Sequence, residues 1–386
     1  LTVSNSSRIQ LNAGAGSVLA ASATPTVNTG ELELFGDFNN DSAITITDGV
    51  IDIGNLVGDE WSNTGSITLT NSTVELGGAF TAADIGTITG TGLSVINGAL
   101  DNSGQVLDLG ASLPTPIELR NGASILGGTL STTPLSLFEF SSATLDGVTL
   151  AADFEVQRGS TLTVNNDLTL NSATVTLTSD NNFTNLTVSG ANGDTSTIGG
   201  TGEILLSGTA TVDNRNRILV SGAGHILDIA PGVTVRTDTT GGEIRHNNNG
   251  PMTLRGAIVS DVPNRTLTIN STTPVSIEGN LSVGAGSVID LNNYALASSA
   301  ELDVEVGGLA TADFGRYMGD DGTLAGTLDI ALVNGFSPGL GDTVEIMSFN
   351  VSRTGTFDTE NGTGIGGGLS FQVNYNASDV TLEVIN

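Results

Sequence analysis

The chain has 386 residues, of which 41 are Asp or Glu and 11 are Arg, with no Lys and no Cys, so its formal net charge at pH 7 is −30. A chain with this charge and no basic run is not expected to bind nucleic acid or an anionic membrane surface. The lack of Cys excludes disulfides and Cys-ligated metals, and no apolar run reaches the roughly 20 residues of a transmembrane helix, so we expect no membrane insertion.

Apolar residues alternate with Thr, Ser, Asn or Asp along most of the chain, which is the pattern of half-buried strands. The alternation begins at residues 1–3 and 9–11 and is clearest at residues 66–70 and 174–178. Thr and Val, which are β-branched and suit a pleated surface, are frequent in these runs. The runs are short and end at Gly, Asn or Asp, which supply positive φ at turns. A helical stripe is nearly absent, so we predict an all-β protein.

The pattern continues for about 300 residues, which is too long for one β-sandwich. Strand–turn units recur roughly every 18–25 residues, which is the spacing of solenoid turns rather than of hairpins. Aromatic residues make up only 4% of the chain, whereas sandwich cores usually carry Trp or Tyr. We therefore predict a right-handed parallel β-solenoid (β-helix) of roughly 14 turns over residues 1–300. The alternative is a string of two or three sandwiches.

A candidate calcium loop lies at residues 36–48. Oxygen ligands at loop positions 1, 3, 5, 7 and 12 define the EF-hand spacing. The residues at these positions are Asp37, Asn39, Asp41, Ala43 (through its backbone carbonyl) and Asp48. The Asp at position 12 makes the loop resemble the dockerin variant, but position 6 is Ser42 where the sharp turn favours Gly, and the flanks look like strands. We keep two interpretations, a Ca²⁺ site and an ordinary Asp- and Asn-rich turn between strands.

The cationic and imidazole side chains concentrate in one zone. Its members are Arg215, Arg217, His225, Asp228, Arg236, Arg245 and His246. With about 22 residues per turn, the two histidines would lie in adjacent turns. One interpretation is a binding or catalytic face of a polysaccharide-acting solenoid. The other, which we favour, is a set of solvent-facing turn residues that balance nearby acids.

From about residue 301 the sequence carries a recognisable pattern. Its positions are Leu324, Gly326, Leu328, Ile330, Gly335, Phe336, Pro338, Gly341, Asp342, Ile346, Gly355, Phe357, Tyr375, Asp379, Val380, Leu382 and Val384. The pattern resembles the C-terminal end segment of secreted bacterial β-solenoid surface proteins of the autotransporter-like and filamentous-haemagglutinin-like kind. It spans about 80 of the 386 residues. The resemblance implies an extracellular or bacterial cell-surface location and a β-rich end segment at residues 301–386.

These expectations favour a structural protein rather than an enzyme. Solenoid ends expose strand edges that need caps, and no amphipathic helix is apparent near the first residue. We therefore expect copies of the chain to assemble head-to-tail into a cell-surface or matrix filament, through the solenoid ends or by strand donation. The first alternative is a monomeric adhesin that binds carbohydrate or a surface. The second is a polysaccharide lyase or hydrolase. The chain does not start with Met, so we expect either a removed signal peptide or a piece of a longer protein.

Overall fold

The structure is a computed structural model in which strands make up 63% of the chain and helix 2%. The residues it describes are 1–4, 6–54, 58–131, 133–248 and 250–386. The strands form a parallel β-solenoid of about 14 turns, which confirms the predicted fold class and rules out the string of sandwiches. The chain divides into two compact units, Leu1–Ala173 and Thr174–Asn386, and each is described in turn.

The first unit is built from short parallel strands. In chain order they are β1 (Thr2–Ser4), β2 (Arg8–Leu19), β3 (Thr26–Asn28), β4 (Glu31–Asn40), β5 (Ala43–Thr47), β6 (Val50–Ile53), β7 (Trp61–Asn63), β8 (Ser66–Leu76), β9 (Ala79–Thr81), β10 (Thr87–Ile96), β11 (Ala99–Asp101), β12 (Val106–Asp108), β13 (Ile117–Leu119), β14 (Ala123–Leu126), β15 (Thr129–Ser131), β16 (Leu135–Leu137), β17 (Ser142–Ala151), β18 (Phe154–Val156) and β19 (Thr161–Ser179). A single helical turn, α1 (Leu109–Ser112), follows β12, and the side chain of Asp108 caps it by accepting from the backbone N–H of Ala111.

Successive turns place these strands on three faces, which we call A, B and C. Face A contains β1, β3, β5 and the first halves of β8 and β10. Face B contains the first halves of β2 and β4, then β6, the second halves of β8 and β10, β13, β16 and β18. Face C contains the ends of β2 and β4, then β7, β9, β11, β14 and the first parts of β17 and β19.

In-register stacking builds the core of the first unit. On face A, for example, Val3 lies opposite Val27, Val27 opposite Ile46, and Ile46 opposite Leu69, and all four are buried. Each such aliphatic side chain contributes about 1.5–3 kcal/mol through burial. The alternation seen in the sequence therefore reports which side of each strand faces the core.

Asparagine has two roles in this unit. It occupies left-handed corner positions, as at Asn71 (φ 50°) inside β8, where the strand bends from face A to face B. It also stacks inside the coil, because the buried Asn40 donates from Nδ2 to Oδ1 of Asn63 in the next turn at 2.8 Å. Asn63 in turn donates to the carbonyl of Ile85 at 2.9 Å. These bonds satisfy polar groups that burial would otherwise leave without a partner.

The second unit begins at Thr174, inside β19, and it also consists mainly of parallel strands. Beyond β19 its strands are β20 (Thr184–Ser189), β21 (Thr195–Gly208), β22 (Asn216–Ser221), β23 (Ile226–Ile229), β24 (Val233–Thr237), β25 (Gly242–His246), β26 (Met252–Leu254), β27 (Ala257–Ser260), β28 (Thr266–Asn270), β29 (Val275–Ile277), β30 (Asn280–Val283), β31 (Val288–Leu296), β32 (Glu301–Val306), β33 (Arg316–Leu324), β34 (Thr327–Leu332), β35 (Thr343–Gly355), β36 (Thr359–Asn361), β37 (Gly364–Gly366), β38 (Leu369–Tyr375) and β39 (Asp379–Ile385). A short 3-10 turn, Asp213–Arg215, precedes β22.

Parallel pairing in the second unit runs through the predicted boundary at residue 300. Strand β32 pairs in parallel with both β30 and β34, and β34 pairs in parallel with β36. Apart from one isolated antiparallel bridge between Val306 and Phe314, the pairing of the described strands turns antiparallel where β39 returns along β35 and β38, and where β37 pairs with β38. The β-rich end segment therefore consists of further solenoid turns followed by an antiparallel closure.

Three acids stack on face B of the first unit. Asp52 lies opposite Glu33 on one side and Glu75 on the other, and it is only 7% exposed. Its Oδ1 has no hydrogen-bond partner among the described residues. Burial, together with the negative charges of Glu75 and Glu31, raises the pKa of Asp52 from 3.8 to about 6. The fold therefore binds a proton at Asp52 more tightly than the unfolded chain does.

We expect Asp52→Asn to stabilise the protein at pH 7 to 8 and to have little effect near pH 4. Because the folded-state pKa is raised, the contribution of Asp52 to stability is greatest below about pH 4 and is lost as the pH rises through about 6. The gain at neutral pH should be at most about 2–3 kcal/mol. Thermal unfolding at both pH values measures it, with Asp48→Asn as a charge-matched control at an exposed carboxylate. An equal change in melting temperature at both pH values would contradict this prediction.

Candidate functional site

An open groove runs along face C of the first unit and has a volume of about 1030 Å³. Eight strands contribute to it, from the end of β2 to the start of β19. At about 4.8 Å between neighbouring strands, the groove extends for about 30 Å along the stack. Its residues are Ala15, Gly16, Ser17, Val18, Asp37, Phe38, Asn39, Glu60, Trp61, Ser62, Ala79, Phe80, Thr81, Asp84, Ala99, Leu100, Asp101, Ser124, Ile125, Leu126, Thr144, Asp146 and Asn165.

Small side chains form the floor of this groove. Ala79 lies opposite Ala99, Ala99 opposite Ser124, and Ser124 opposite Thr144. These four stacked residues form a column. Because side chains alternate between the two sides of a strand, the column points outward and the next residue of each strand faces the core. A column of small residues on the outer side of a sheet leaves room above the backbone, and the hydroxyls of Ser124 and Thr144 add hydrogen-bonding groups to it.

Carboxylates border the groove, and no arginine lines it. Asp37 accepts a hydrogen bond from the backbone N–H of Glu60 at 3.0 Å. Asp84 accepts from the backbone and hydroxyl of Thr81 at 2.8 and 2.7 Å. Hydrogen bonds from the side chain and backbone of Ser103 hold the pKa of Asp101 below its usual value. The groove is therefore a negatively charged surface with fixed acceptors.

Three aromatic residues lie beneath one end of the groove. Phe38, Trp61 and Phe80 are stacked in successive turns and buried. The ring centroids of Trp61 and Phe80 are 4.9 Å apart, and Trp61 donates from Nε1 to the carbonyl of Gly77 at 2.8 Å. Because their faces are covered, these rings support the floor and offer no open stacking surface to a ligand.

The structure places the candidate calcium residues on strands rather than in a closed loop. Asp37 and Asn39 lie in β4, Asp41 follows it, Ala43 begins β5, and Asp48 comes directly after β5 with a φ of 47°. An extended strand advances about 3.3 Å per residue, so β5 carries Asp48 about 16 Å away from Ala43. The five positions therefore do not surround one point.

Two of those five residues do come together. Asn39 donates from Nδ2 to Asp41, and Thr64 of the next turn donates its hydroxyl to the same Asp41 oxygen. Asp48 instead accepts from Nδ2 of Asn71 at 2.7 Å. Asp37 and Asn39 both face the groove. A Ca²⁺ site in this region stays a prediction, and Asp41 is the carboxylate on which such a site would be centred.

A second group of acids lies in the second unit and was missed by the sequence interpretation. Carboxylate oxygens of Glu301, Asp303 and Asp329 lie within 4.8 Å of one another. A hydrogen bond to Asp329 raises the pKa of Glu301, and burial raises the pKa of Asp303. Asn280 also donates to Asp303 at 2.9 Å. This donor set suits a hard cation such as Ca²⁺, but a shared proton and the amide donor satisfy it without one.

The histidine zone has a structural role in this arrangement. Nδ1 of His246 accepts from the backbone N–H groups of Asn248 and Gly250 at 3.1 and 3.0 Å, so the ring proton is on Nε2, which lies 2.8 Å from the carbonyl of His225. The ring of His225 packs against Gly190, where an added Cβ would come within 2.2 Å. Both histidines are buried, so the interpretation as solvent-facing turn residues is wrong for them. Their predicted proximity in adjacent turns is confirmed.

Comparison with known proteins leaves the chain without an assigned family. No protein-family model matches it, and no curated protein matches it either. Among the described residues no helix is long and apolar enough to cross a membrane. The β-solenoid architecture agrees with the class of surface proteins that the C-terminal segment resembles.

The calcium hypothesis predicts that about 1 mM Ca²⁺, a concentration suited to extracellular modules, raises the melting temperature and that a chelator reverses the rise. We expect Asp41→Asn to remove this response, because Asp41 is the carboxylate that Asn39 and Thr64 contact. Asp48→Asn removes the same charge from the other side of β5 and should leave the response intact. Differential scanning calorimetry distinguishes the outcomes, and a wild-type melting temperature insensitive to Ca²⁺ would rule the site out.

Proposed function

We propose that this chain is an extracellular, non-enzymatic β-solenoid that binds a linear neutral polysaccharide along the groove of face C and so acts as an adhesive component of a bacterial cell surface. The single observation that carries the proposal is the groove itself, whose floor repeats a small side chain at Ala79, Ala99, Ser124 and Thr144. A linear polymer with repeated hydroxyls fits a groove whose floor repeats from one turn to the next.

The charge of the groove supports a neutral ligand. Five of its residues are acidic and none is cationic, so an anionic polymer would be repelled. Carboxylates are strong acceptors for sugar hydroxyls. Their backbone and hydroxyl donors hold Asp37 and Asp84 in place, which lowers the entropic cost of binding.

Binding is favoured over cleavage on chemical grounds. A glycosidase needs a carboxylic acid whose pKa is raised so that it can protonate the leaving group. Asp101, at the centre of the groove, has a pKa lowered by Ser103, which is the opposite direction. Neither histidine lines the groove.

We expect Ser124→Trp and Ala99→Trp to abolish binding of linear neutral oligosaccharides, because each indole would fill the groove from its floor. The control is Thr68→Trp, which adds the same ring at an exposed position on face A. Isothermal titration calorimetry with cello- and xylo-oligomers measures the affinity, and circular dichroism checks the fold. Binding that survives both groove variants, or wild-type protein that binds no neutral oligomer, would refute the proposal.

A second candidate function is self-assembly through the first turn, as expected from the sequence. Strand β2 pairs with β4 on one side and has no partner on the other among the described residues. Its apolar side chains are uncovered, with Val18 56% exposed and Leu11 at 36%. An unpaired edge of this kind accepts a strand from another chain.

If this edge joins copies, the purified chain should form filaments in negative-stain electron microscopy, and Leu11→Glu with Val18→Glu should give single particles. The two introduced carboxylates would lie in the interface between copies, from which water must be excluded. Thr68→Glu with Thr89→Glu, at exposed positions on face A, controls for the added charge. Monodisperse monomers of the wild-type chain at high concentration would exclude this assembly.

A further inference from the structure

The second unit carries the densest group of cations in this strongly acidic chain. Arg217 lies in β22, and Arg215 ends the 3-10 turn before that strand. Arg245 lies in the neighbouring strand β25, two residues beyond the residue that pairs with Arg217. Glu243 is opposite Arg217. We call Arg215, Arg217, Arg245 and the neighbouring Phe183 the arginine patch.

The patch has an excess of positive charge. Glu243 is its carboxylate, with its Oε2 3.2 Å from Nε of Arg217 and its Oε1 3.8 Å from Nη1 of Arg245. Two guanidinium groups therefore share one carboxylate, and Arg215 adds a third positive charge beside them. Burial is the main cause of a lowered pKa at Arg217, against the opposing effect of Glu243, and the charges of Arg245 and Arg215 lower it further.

Among the described residues, Arg353 donates to backbone carbonyl groups and Nε of Arg316 has no hydrogen-bond partner. Six further arginines differ from those of the patch, because each has its own carboxylate. The pairs are Arg8 with Glu31 and Glu33, Arg120 with Glu118, Arg158 with Glu139, Arg236 with Glu203 and Asp261, Arg255 with Asp228, and Arg265 with Asp213. Arg215 has no ion pair among the described residues, and its Nε is buried with no hydrogen-bond partner there. Its described contact is with the ring of Phe183, whose centroid is 4.3 Å away.

Phe183 fixes the positions of two of these guanidinium groups. Arg217 lies 3.4 Å and Arg215 4.3 Å from its ring centroid. Nε of Arg217 also donates to the carbonyl of Asn214 at 3.0 Å. Phe183 is 39% exposed and the side chain of Arg245 is 42% exposed, so the patch is open to solvent. Held cations that are open to solvent form a preorganised anion site.

We propose that the arginine patch binds the anionic group of an acidic polysaccharide, a carboxylate or a sulfate ester, through the guanidinium groups of Arg215 and Arg245. Planar guanidinium groups match such oxyanions with paired N–H donors. At physiological ionic strength, screening over about 8 Å limits the influence of the remaining negative charge of the chain on this local excess.

The surroundings favour a sugar polymer over an acidic peptide or a nucleic acid. Strand β22 pairs on both sides, with β20 and β25, so no strand edge is free for a peptide to extend. Thr187, Thr268 and Asn270 flank the patch in register and offer neutral groups suited to hydroxyls. Three arginines around one Glu are too few for a phosphate backbone, which requires many cationic contacts.

The test compares the affinity of the full chain for four probes at about 0.15 M salt: polygalacturonate, dextran sulfate, polyglutamate and unmodified dextran. We expect binding to polygalacturonate or to dextran sulfate, and which of the two binds identifies the anionic group. Arg215→Gln with Arg245→Gln should weaken that binding by about tenfold or more. Arg236→Gln with Arg255→Gln removes the same charge from paired positions and should retain it.

A second variant protects the test against loss of the fold. Thr187→Glu leaves every arginine in place and introduces a repelling charge beside Leu219, which is opposite Arg245, so it should also weaken binding. The proposal would be overturned by any of three results. The first is wild-type protein that binds neither polygalacturonate nor dextran sulfate, the second is equal affinity of the two double variants, and the third is a preference of the wild-type protein for polyglutamate. The groove variant Ser124→Trp lies in the first unit and should leave this binding unchanged, so failure here is distinct from failure of the groove.

Discussion

In-register parallel pairing between successive turns is the constraint on which the other features depend. Neighbouring strands lie about 4.8 Å apart, so each side chain is placed beside the residue at the same position of the next turn. Val3, Val27 and Ile46 form one such column in the core. The environment of a side chain is therefore determined more by the residues stacked above and below it in neighbouring turns, which form its column, than by its neighbours in sequence.

The same constraint explains how a chain of charge −30 folds. Stacking places acids beside acids, as in the column of Glu33, Asp52 and Glu75. Burial and the neighbouring carboxylates raise the pKa of Asp52, so this member of the column binds a proton more readily. Elsewhere an arginine from the neighbouring column of the next turn neutralises an acid, as Arg236, which lies opposite Leu205, does for Glu203 at 2.7 Å.

Strand content was predictable from local sequence, but the site was not. Alternation at residues 66–70 and 174–178 reports burial directly, and these runs lie in β8 and β19. The groove depends on register instead. Ala79, Ala99 and Ser124 are 20 and 25 residues apart, and this unequal spacing hides the column until the turns are aligned.

Spacing rules for side chains assume a particular backbone. The EF-hand pattern presumes a loop that curls around its ion, whereas β5 extends and separates Ala43 from Asp48. The role of His246 depends on the backbone N–H groups of Asn248 and Gly250, which no side-chain pattern reveals. The change to antiparallel pairing at β39 likewise depends on long-range contacts.

Columns also explain how one fold presents two surfaces of opposite charge. A column of small residues bordered by acids makes a groove that excludes anions, whereas a column in which Glu243 faces Arg217 beside two further arginines makes a patch that attracts them. Neither surface requires a loop insertion, since each uses outward positions of strands whose inward positions build the core. The outer columns can therefore vary in chemistry without cost to the core, and on this argument the ligand specificity of such a solenoid is determined by side chains that contribute little to its stability.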